Sequence, residues 1–262
     1  EGKEGLLKAM MKVSDCLRKV GIDVRKKLFS SVLSAFGGKL ELIICGGAKL
    51  DEEIIRTFDS LGITILNGYG ITECSPLISA NRNKYQKPGS VGTPILACRV
   101  KIDNPDENGE GEICVKGPQV MKGYLRAPEE TAHTIRNGWL HSGDLGRFDE
   151  EGYLYIVDRK KDMIIRGGEN IYPIEVEEVL YQIPQVLEAA VVGVPHEVYG
   201  EVPKAFVVVK DGELLTEKQV LDYCLTQLAK YKVPYEVDFL EQLPRNASGK
   251  VLKHTLRPQQ TI

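Results

Sequence analysis

The stretch "LELIICGGAKLDEEIIRTFDSLGITILNGYGITE", residues 40–73, decides the fold. "LIIC" is a short apolar run that breaks into a glycine pair, the pattern of a buried strand entering a turn. "DEEIIRTFDSLG" has helical spacing and a glycine stop at Gly62. "ITIL" is the next strand. Strand, helix, strand is the signature of a parallel α/β sheet. The chain then leaves the second strand through "NGYGITE" into a glycine-rich loop. Ligands of α/β sheets sit outside the carboxyl ends of the strands, so residues 45–48 and 67–73 are expected to form one rim of a site.

Upstream, Leu6, Met10, Val13, Leu17 and Val20 recur at helical spacing and alternate with Lys8, Lys12, Arg18 and Lys19. The apolar stripe is expected to face a core. The basic face makes the segment a candidate for peripheral membrane contact. A second helical stretch carries Leu28, Val32 and Ala35 and stops at Gly37-Gly38. From about residue 88 the texture changes to short strands, "CRVKI", "GEICVKG" and "YLYIV", cut by turn signals. This predicts a small antiparallel β unit or barrel, with a short helix at 128–135 opened by Pro128. After "DRKKD" a third texture follows: "YPIEVEEVLYQI" and "TEKQVLDYCLTQLAK" as helices among strands, with Thr216 as N-cap. The expected division is an α/β lobe at 1–87, a β subdomain at 88–160 and an α+β module at 161–262.

The 262 residues carry a net charge of −3, which argues against a dedicated nucleic-acid binder. No apolar run approaches the roughly 20 residues needed to span a bilayer. The six cysteines are scattered with no C-x-x-C pair, so they read as free thiols of a cytoplasmic protein, not as a metal or redox motif.

Several positions have chemistry to offer. Gly68 and Gly70 are expected to let backbone approach a ligand, with the flat face of Tyr69 between them for stacking a base. Thr72 offers a hydroxyl and Glu73 a hard oxygen ligand suited to Mg²⁺. Asp144, after Ser142-Gly143, is placed to accept the hydrogen bonds of a ribose diol, and Arg159 to bind the same sugar or a phosphate through its planar fork. Gly167-Gly168, between a strand and a helix, is either a plain turn or a place where a thin ligand passes. Lys250 lies at the tip of a short polar loop, where a lone lysine is ordinarily solvated. Taken singly, each has an ordinary structural reading.

Together they form an order. "GGAKL", "NGYGITE", "GSVGTP", "GEICVKGPQVMKGYL", "GWLHSGDLG", "DRKKDMIIRGGENIYPIEVE" and "LPRNASGKVLK" follow one another along the chain. In this the chain resembles the adenylate-forming superfamily of acyl-CoA synthetases, luciferases and peptide-synthetase adenylation domains. The segment "VRKKLFSSVLSAFGGKLELIICGGAKL" looks most like the long-chain fatty acid–CoA ligase branch.

The resemblance implies the C-terminal part of a large AMP-binding domain followed by a mobile α+β domain. It implies two steps: a fatty acid carboxylate attacks the α-phosphate of Mg·ATP to give acyl-AMP, and coenzyme A then displaces AMP to give the thioester. Lys250 would bridge carboxylate and phosphate in the first step. Tyr69 would stack on adenine with Gly70 beside it, and Gly46, Gly47 and Ala48 would line the adenine and acyl side. Thr72 would contact phosphate, Glu73 would hold Mg²⁺, and Asp144 and Arg159 would bind the ribose. Lys161 matches the family's hinge, where many members have Asp, and Gly167-Gly168 would let pantetheine pass after the domain turns. The ribose motif usually reads Thr-Gly-Asp, and here Ser142 keeps the hydroxyl. The family's phosphate loop ending in Pro-Lys-Gly is found nowhere in the chain. The reading is therefore of an enzyme lacking its N-terminal half and inactive alone. Two alternatives stand beside it: a non-catalytic nucleotide-binding module, and a ligase whose acceptor is a carrier-protein thiol.

Overall fold

A computed structural model describes residues 2–47, 50–247 and 249–258. The chain divides into two units, residues 1–142 with 146–156, and residues 143–145 with 157–262.

Unit 1 opens with helices α1 (Gly2–Lys19), α2 (Arg25–Leu28) and α3 (Ser30–Ala35), followed by strand β1 (Leu42–Cys45), helix α4 (Glu52–Leu61) and strand β2 (Thr64–Gly70). Helix α4 starts where Asp51 accepts the Glu53 N–H at 2.6 Å, has Glu52 and Glu53 in its first turn, and stops at Gly62. Strands β1 and β2 pair in parallel, Leu42 opposite Thr64. A tight 3₁₀ turn at Thr72–Cys74 then returns the chain as β3 (Leu77–Ala80), antiparallel to β2, and β4 (Thr93–Pro94) adds antiparallel to β3. The expected parallel sheet thus holds for one pair only. A return of six residues is too short for the crossover that a parallel neighbour needs.

The stripe expected on α1 is also corrected. Leu6, Val13 and Val20 are exposed, while Leu7, Met10, Met11, Ser14 and Leu17 are the shielded positions. The inward face is set by α4: Asp15 accepts the Ser60 hydroxyl at 3.0 Å and Arg18 pairs with Asp59 at 2.6 Å.

The second sheet contains β5 (Arg99–Asp103), β6 (Gly111–Lys116), β7 (Ile135–Arg136), β8 (Trp139–Phe148) and β9 (Leu154–Arg159), with helix α5 (Pro128–Thr134) before β7. Its order is β5-β6-β8-β7, with β9 on β8. Ile113 and Val115 of β6, Leu140 of β8 and Leu154 of β9 enter one core with Cys74, Ile78, Val91 and Cys98. Each fully buried Ile or Leu contributes about 1.5–3 kcal/mol relative to exposure.

Unit 2 is built on β10 (Ile164–Arg166), β11 (Glu169–Ile171), β12 (Val186–His196), β13 (Gly200–Val209) and β14 (Glu236–Phe239), in the order β11-β10-β13-β12 with β14 parallel on β13. Helix α6 (Pro173–Tyr181) begins with proline at its first position, and α7 (Glu217–Gln227) with a capping box of Thr216 and Gln219. The run Ala189–Val194 is buried throughout. Val191, Ala205 and Val207 pack with α6 and α7 on one face. Ala190, Val192, Phe206 and Val208 face Leu243, Val251 and Leu256 on the other, where helix α8 (Lys253–Leu256) lies. A strand covered on both faces reads as a continuous apolar run, as this one does. Among the described residues no helix is long and apolar enough to cross a membrane.

Candidate active site

In unit 1 the sequence "NGYGITE" is strand before it is loop. Ile65 and Asn67 are buried on one face of β2, and Tyr69 continues that face two residues on. The glycines follow from the return strand. A Cβ on Gly70 would lie 2.3 Å from the Pro76 carbonyl oxygen, and one on Gly68 would lie 3.2 Å from that of Ser79. Close approach of protein backbone excludes a side chain at Gly70 and crowds one at Gly68. Gly46 similarly faces the Gly68 carbonyl, while Gly47 is open at φ +85°. Ala48 lies outside the described residues.

Beyond Gly70 the 3₁₀ turn presents Thr72 and Glu73. The Glu73 carbonyl accepts the Met121 N–H at 2.7 Å, and its carboxylate accepts the Tyr124 hydroxyl at 2.9 Å. A carboxylate receiving one O–H keeps lone pairs for a hard cation, so Glu73 fits Mg²⁺. The Asn67 Oδ1 is buried and has no partner among the described residues. An unpaired acceptor beside an aromatic ring on one strand face fits a base that carries an amino group. Asn67 and Tyr124 were missed in the sequence. The first was hidden inside a motif credited to its neighbours, and the second lies 51 residues from its partner.

Unit 2 brings Asp144, Arg159 and Lys250 together. Asp144 lies within β8, after Gly143 at φ +73°, so a strand carries its carboxylate. The Gly143 carbonyl accepts the Lys160 N–H at 2.9 Å, fixing this segment against the end of β9. The Arg159 Nε lies 3.7 Å from Asp144 Oδ1. The Ser142 hydroxyl, in unit 1, is turned to the Ile113 carbonyl at 2.8 Å.

Lys250 sits on a small hairpin, not a loose loop. Arg245 pairs with Val251, the Asn246 N–H bonds the Lys250 carbonyl at 3.0 Å, and Asn246 Oδ1 accepts the Lys250 N–H at 2.8 Å. Its ammonium is held below the usual lysine range, first by partial burial of the tip and then by the neighbouring Arg159, with Asp144 opposing. Lys161 is exposed in the turn after β9, and its carbonyl accepts Arg257 Nη2 at 3.1 Å. Gly167 and Gly168, at φ +58° and +94°, form the two-residue turn of the β10–β11 hairpin, with Arg166 opposite Glu169. They join two strands, where a strand and a helix were expected, and both positive φ values demand glycine in such a turn.

A third cluster in unit 1 was not expected. Asp103, Cys114 and His141 bring donor atoms within 4.8 Å of one another, and His141 Nδ1 lies 3.3 Å from Glu112. Lys101 pairs with Asp103 at 2.7 Å and Arg136 approaches Glu112 at 3.8 Å, so the carboxylates already have cations. Burial pushes the Cys114 thiol up to about 11.

Two family models match the chain: AMP-binding enzyme over residues 7–125, and AMP-binding enzyme C-terminal domain over residues 175–250. A 2-succinylbenzoate–CoA ligase of Bacillus cereus (strain AH820) is 45% identical over 247 residues, covering 90% of this chain and 51% of that protein. ATP-bound MatB from Rhodopseudomonas palustris is 37% identical with a TM-score of 0.80, covering 88% of this chain and 49% of that one. The o-succinylbenzoate CoA synthetase MenE of Bacillus subtilis is 38% identical over 88% of this chain and about half of its own. Its TM-score is 0.77 in complex with the acyl-adenylate OSB-AMP and 0.75 in complex with ATP and magnesium ion. The fold is therefore the α/β adenylate-forming fold of the AMP-binding superfamily, with an antiparallel sheet beside the α/β lobe. The chain spans about half the length of the curated relatives it matches.

These similarities correct two expectations. The relatives are succinylbenzoate and MatB-type synthetases, so the fatty acid branch is withdrawn, and with it the fatty acid as substrate. The lack of an AMP-binding half, and the inactivity drawn from it, are also withdrawn. The AMP-binding model matches residues 7–125 and its C-terminal companion 175–250, so both regions are represented. The expected ATP and Mg²⁺ are the ligands that the solved relatives hold.

Proposed function

We propose that this protein is an AMP-forming acid–thiol ligase that activates 2-succinylbenzoate with Mg·ATP and transfers the acyl group to coenzyme A. The observation that carries the reading is 45% identity to 2-succinylbenzoate–CoA ligase over 247 residues, 90% of this chain. The electrostatics suit it. Carboxylate and phosphate are both anions, and a cation must offset the charge where they meet. Lys250, partly desolvated and beside Arg159, supplies that cation in adenylation. Asp144 and Arg159 take the ribose. Tyr69 stacks on the base, with Asn67 accepting from its amino group. Gly46, Gly47 and Ala48 line the adenine and acyl side, and Gly70 shapes the strand end. Thr72 touches phosphate and Glu73 holds the Mg²⁺ that offsets phosphate charge. Residues 1–87 belong to its α/β lobe, 88–160 to its β subdomain and 161–262 to its mobile α+β domain. Lys161 serves as hinge, and the Gly167-Gly168 turn borders the thiol path in the second step. The six free cysteines accord with a cytoplasmic location.

The test is incubation with ATP, Mg²⁺, CoA and 2-succinylbenzoate, with AMP and acyl-CoA read by mass spectrometry. Acyl-CoA formation abolished by Lys250→Ala supports the reading. Turnover of a different carboxylic acid alone would overturn the substrate. Release of ADP in place of AMP would overturn the chemistry.

A further inference from the structure

Lys250 is bracketed by three ion pairs. Arg245 meets Glu188 at 2.5 Å, Lys253 meets Glu177 at 2.6 Å, and Arg257 meets Asp162 at 3.1 Å. The middle pair is the most enclosed as a pair, with side chains 19% and 14% exposed. Its acceptor oxygen, Glu177 Oε1, also takes the Val191 N–H of β12 at 2.7 Å. One carboxylate thereby ties together α6, β12 and the first residue of α8.

The same helix anchors the other cation of the site. Asp158 is 2% exposed. One of its oxygens accepts the Arg159 N–H at 2.7 Å, and the other accepts the Ile174 N–H in the first turn of α6 at 3.0 Å. Glu177 follows Ile174 by three residues and so lies on the same side of the helix. Arg159 and Lys250 are each held to one rigid element, the first through the buried Asp158 and the second through the half-buried Glu177. A partly desolvated ion pair adds little stability compared with apolar side chains of the same volume, so its use here is best sought in placement.

We propose that the Glu177–Lys253 pair positions Lys250 against Asp144 and Arg159, with both members acting as positioning residues for adenylation. The rest of the segment is shaped for this. Val251 and Leu256 pack on the β12–β13 face, and the Leu252 N–H bonds the Pro244 carbonyl at 2.8 Å. Lys253 is the only side chain between them whose charge is drawn inward to α6. Two residues, Val251 and Leu252, separate it from Lys250, so a shift of α8 is passed to the Lys250 ammonium.

The inference rests on the proposed role of Lys250 in adenylation. The experiment compares Glu177→Gln, Lys253→Met, Lys253→Arg and Lys250→Ala in two assays: 2-succinylbenzoate-dependent ATP–pyrophosphate exchange, and thioester formation from supplied acyl-adenylate and CoA. Far-UV circular dichroism and thermal melts report folding. Glu177→Gln and Lys253→Met are expected to slow exchange by about ten- to a hundredfold, with thioester formation within about twofold of the parent, because small misplacements of a reacting group cost that much. Lys253→Arg is expected to recover most of the exchange. Glu177→Gln keeps an acceptor for Val191 and carries the test if Lys253→Met does not fold. Equal losses in both assays would mark the pair as merely structural and overturn the inference. So would normal exchange in both variants when Lys250→Ala abolishes it. Exchange unaffected by Lys250→Ala would overturn the functional reading, and the positioning role with it.

Discussion

The Tyr124 hydroxyl donates to Glu73 Oε1 at 2.9 Å, joining the loop after β6 to the 3₁₀ turn after β2. The bond is exposed, so its net contribution to stability is about 1 kcal/mol or less. Its value is orientation of the proposed Mg²⁺ ligand. Tyr124→Phe is expected to leave the melting temperature nearly unchanged while raising the Mg²⁺ needed for half-maximal adenylation by about tenfold, as loss of a partner behind a metal ligand does. A Mg²⁺ titration of pyrophosphate exchange measures this, and an unchanged titration curve would detach Tyr124 from the metal.

Asn67 has a buried, unpartnered Oδ1 on the face that continues to Tyr69. Asn67→Ala is expected to cost about 1 kcal/mol of stability or less, since no hydrogen bond of that oxygen is lost. The KM for ATP should rise about three- to tenfold, the worth of one neutral hydrogen bond. An unchanged KM with a marked loss of stability would make Asn67 a scaffold residue.

Gly70→Ala tests the strand reading of "NGYGITE". Its Cβ would collide with the Pro76 carbonyl at 2.3 Å, and backbone on both sides has little room to yield. Overpacking of this kind destabilises by about 1–3 kcal/mol. Urea unfolding followed by the fluorescence of Trp139, the single tryptophan, should show the loss. A variant as stable as the parent would mean that the return at Pro76 is not held this tightly.

Asp158 gives a pH signature. Burial raises its carboxyl pKa, against the pull of the Ile174 and Arg159 N–H bonds. A raised folded-state pKa favours the protonated form in the native state. Its contribution to stability is therefore fully present below the unfolded value of 3.8 and declines as pH rises through the raised folded value. The stability difference between the parent and Asp158→Asn should accordingly shrink as pH climbs from about 4 towards neutrality. Urea midpoints from circular dichroism at several pH values measure it, and a difference that widens with pH would contradict the shift.

Local chemistry was legible in the sequence. Gly62 ends α4, Pro173 opens α6, and Thr216 begins α7, because caps and prolines act within a few residues of themselves. What spans the chain was not. Helix α1 contains two overlapping apolar stripes, and only its packing on α4 selects Leu7, Met10 and Leu17 over Leu6 and Val13. Gly68 and Gly70 look the same in a sequence whether they admit a ligand or a neighbouring strand. Glu177, one of several acidic residues in the helical stretch "YPIEVEEVLYQI", is enclosed by Lys253 and Val191, 76 and 14 residues away. The seven ordered motifs pointed to the superfamily fold, whereas the fatty acid branch rested on the one segment "VRKKLFSSVLSAFGGKLELIICGGAKL" and did not survive comparison.

The pairing of β14 with β13 also carries a consequence in time. Strands β12 and β13 meet across a turn between His196 and Gly200, so their ladder closes a short loop. Strand β14 reaches β13 in parallel only after the chain has run through α7, from Val209 to Glu236. Closing the longer loop loses more chain entropy before any contact repays it. The hairpin is therefore expected to lead in folding, and the strand after α7, with the Lys250 segment that follows it, to join later.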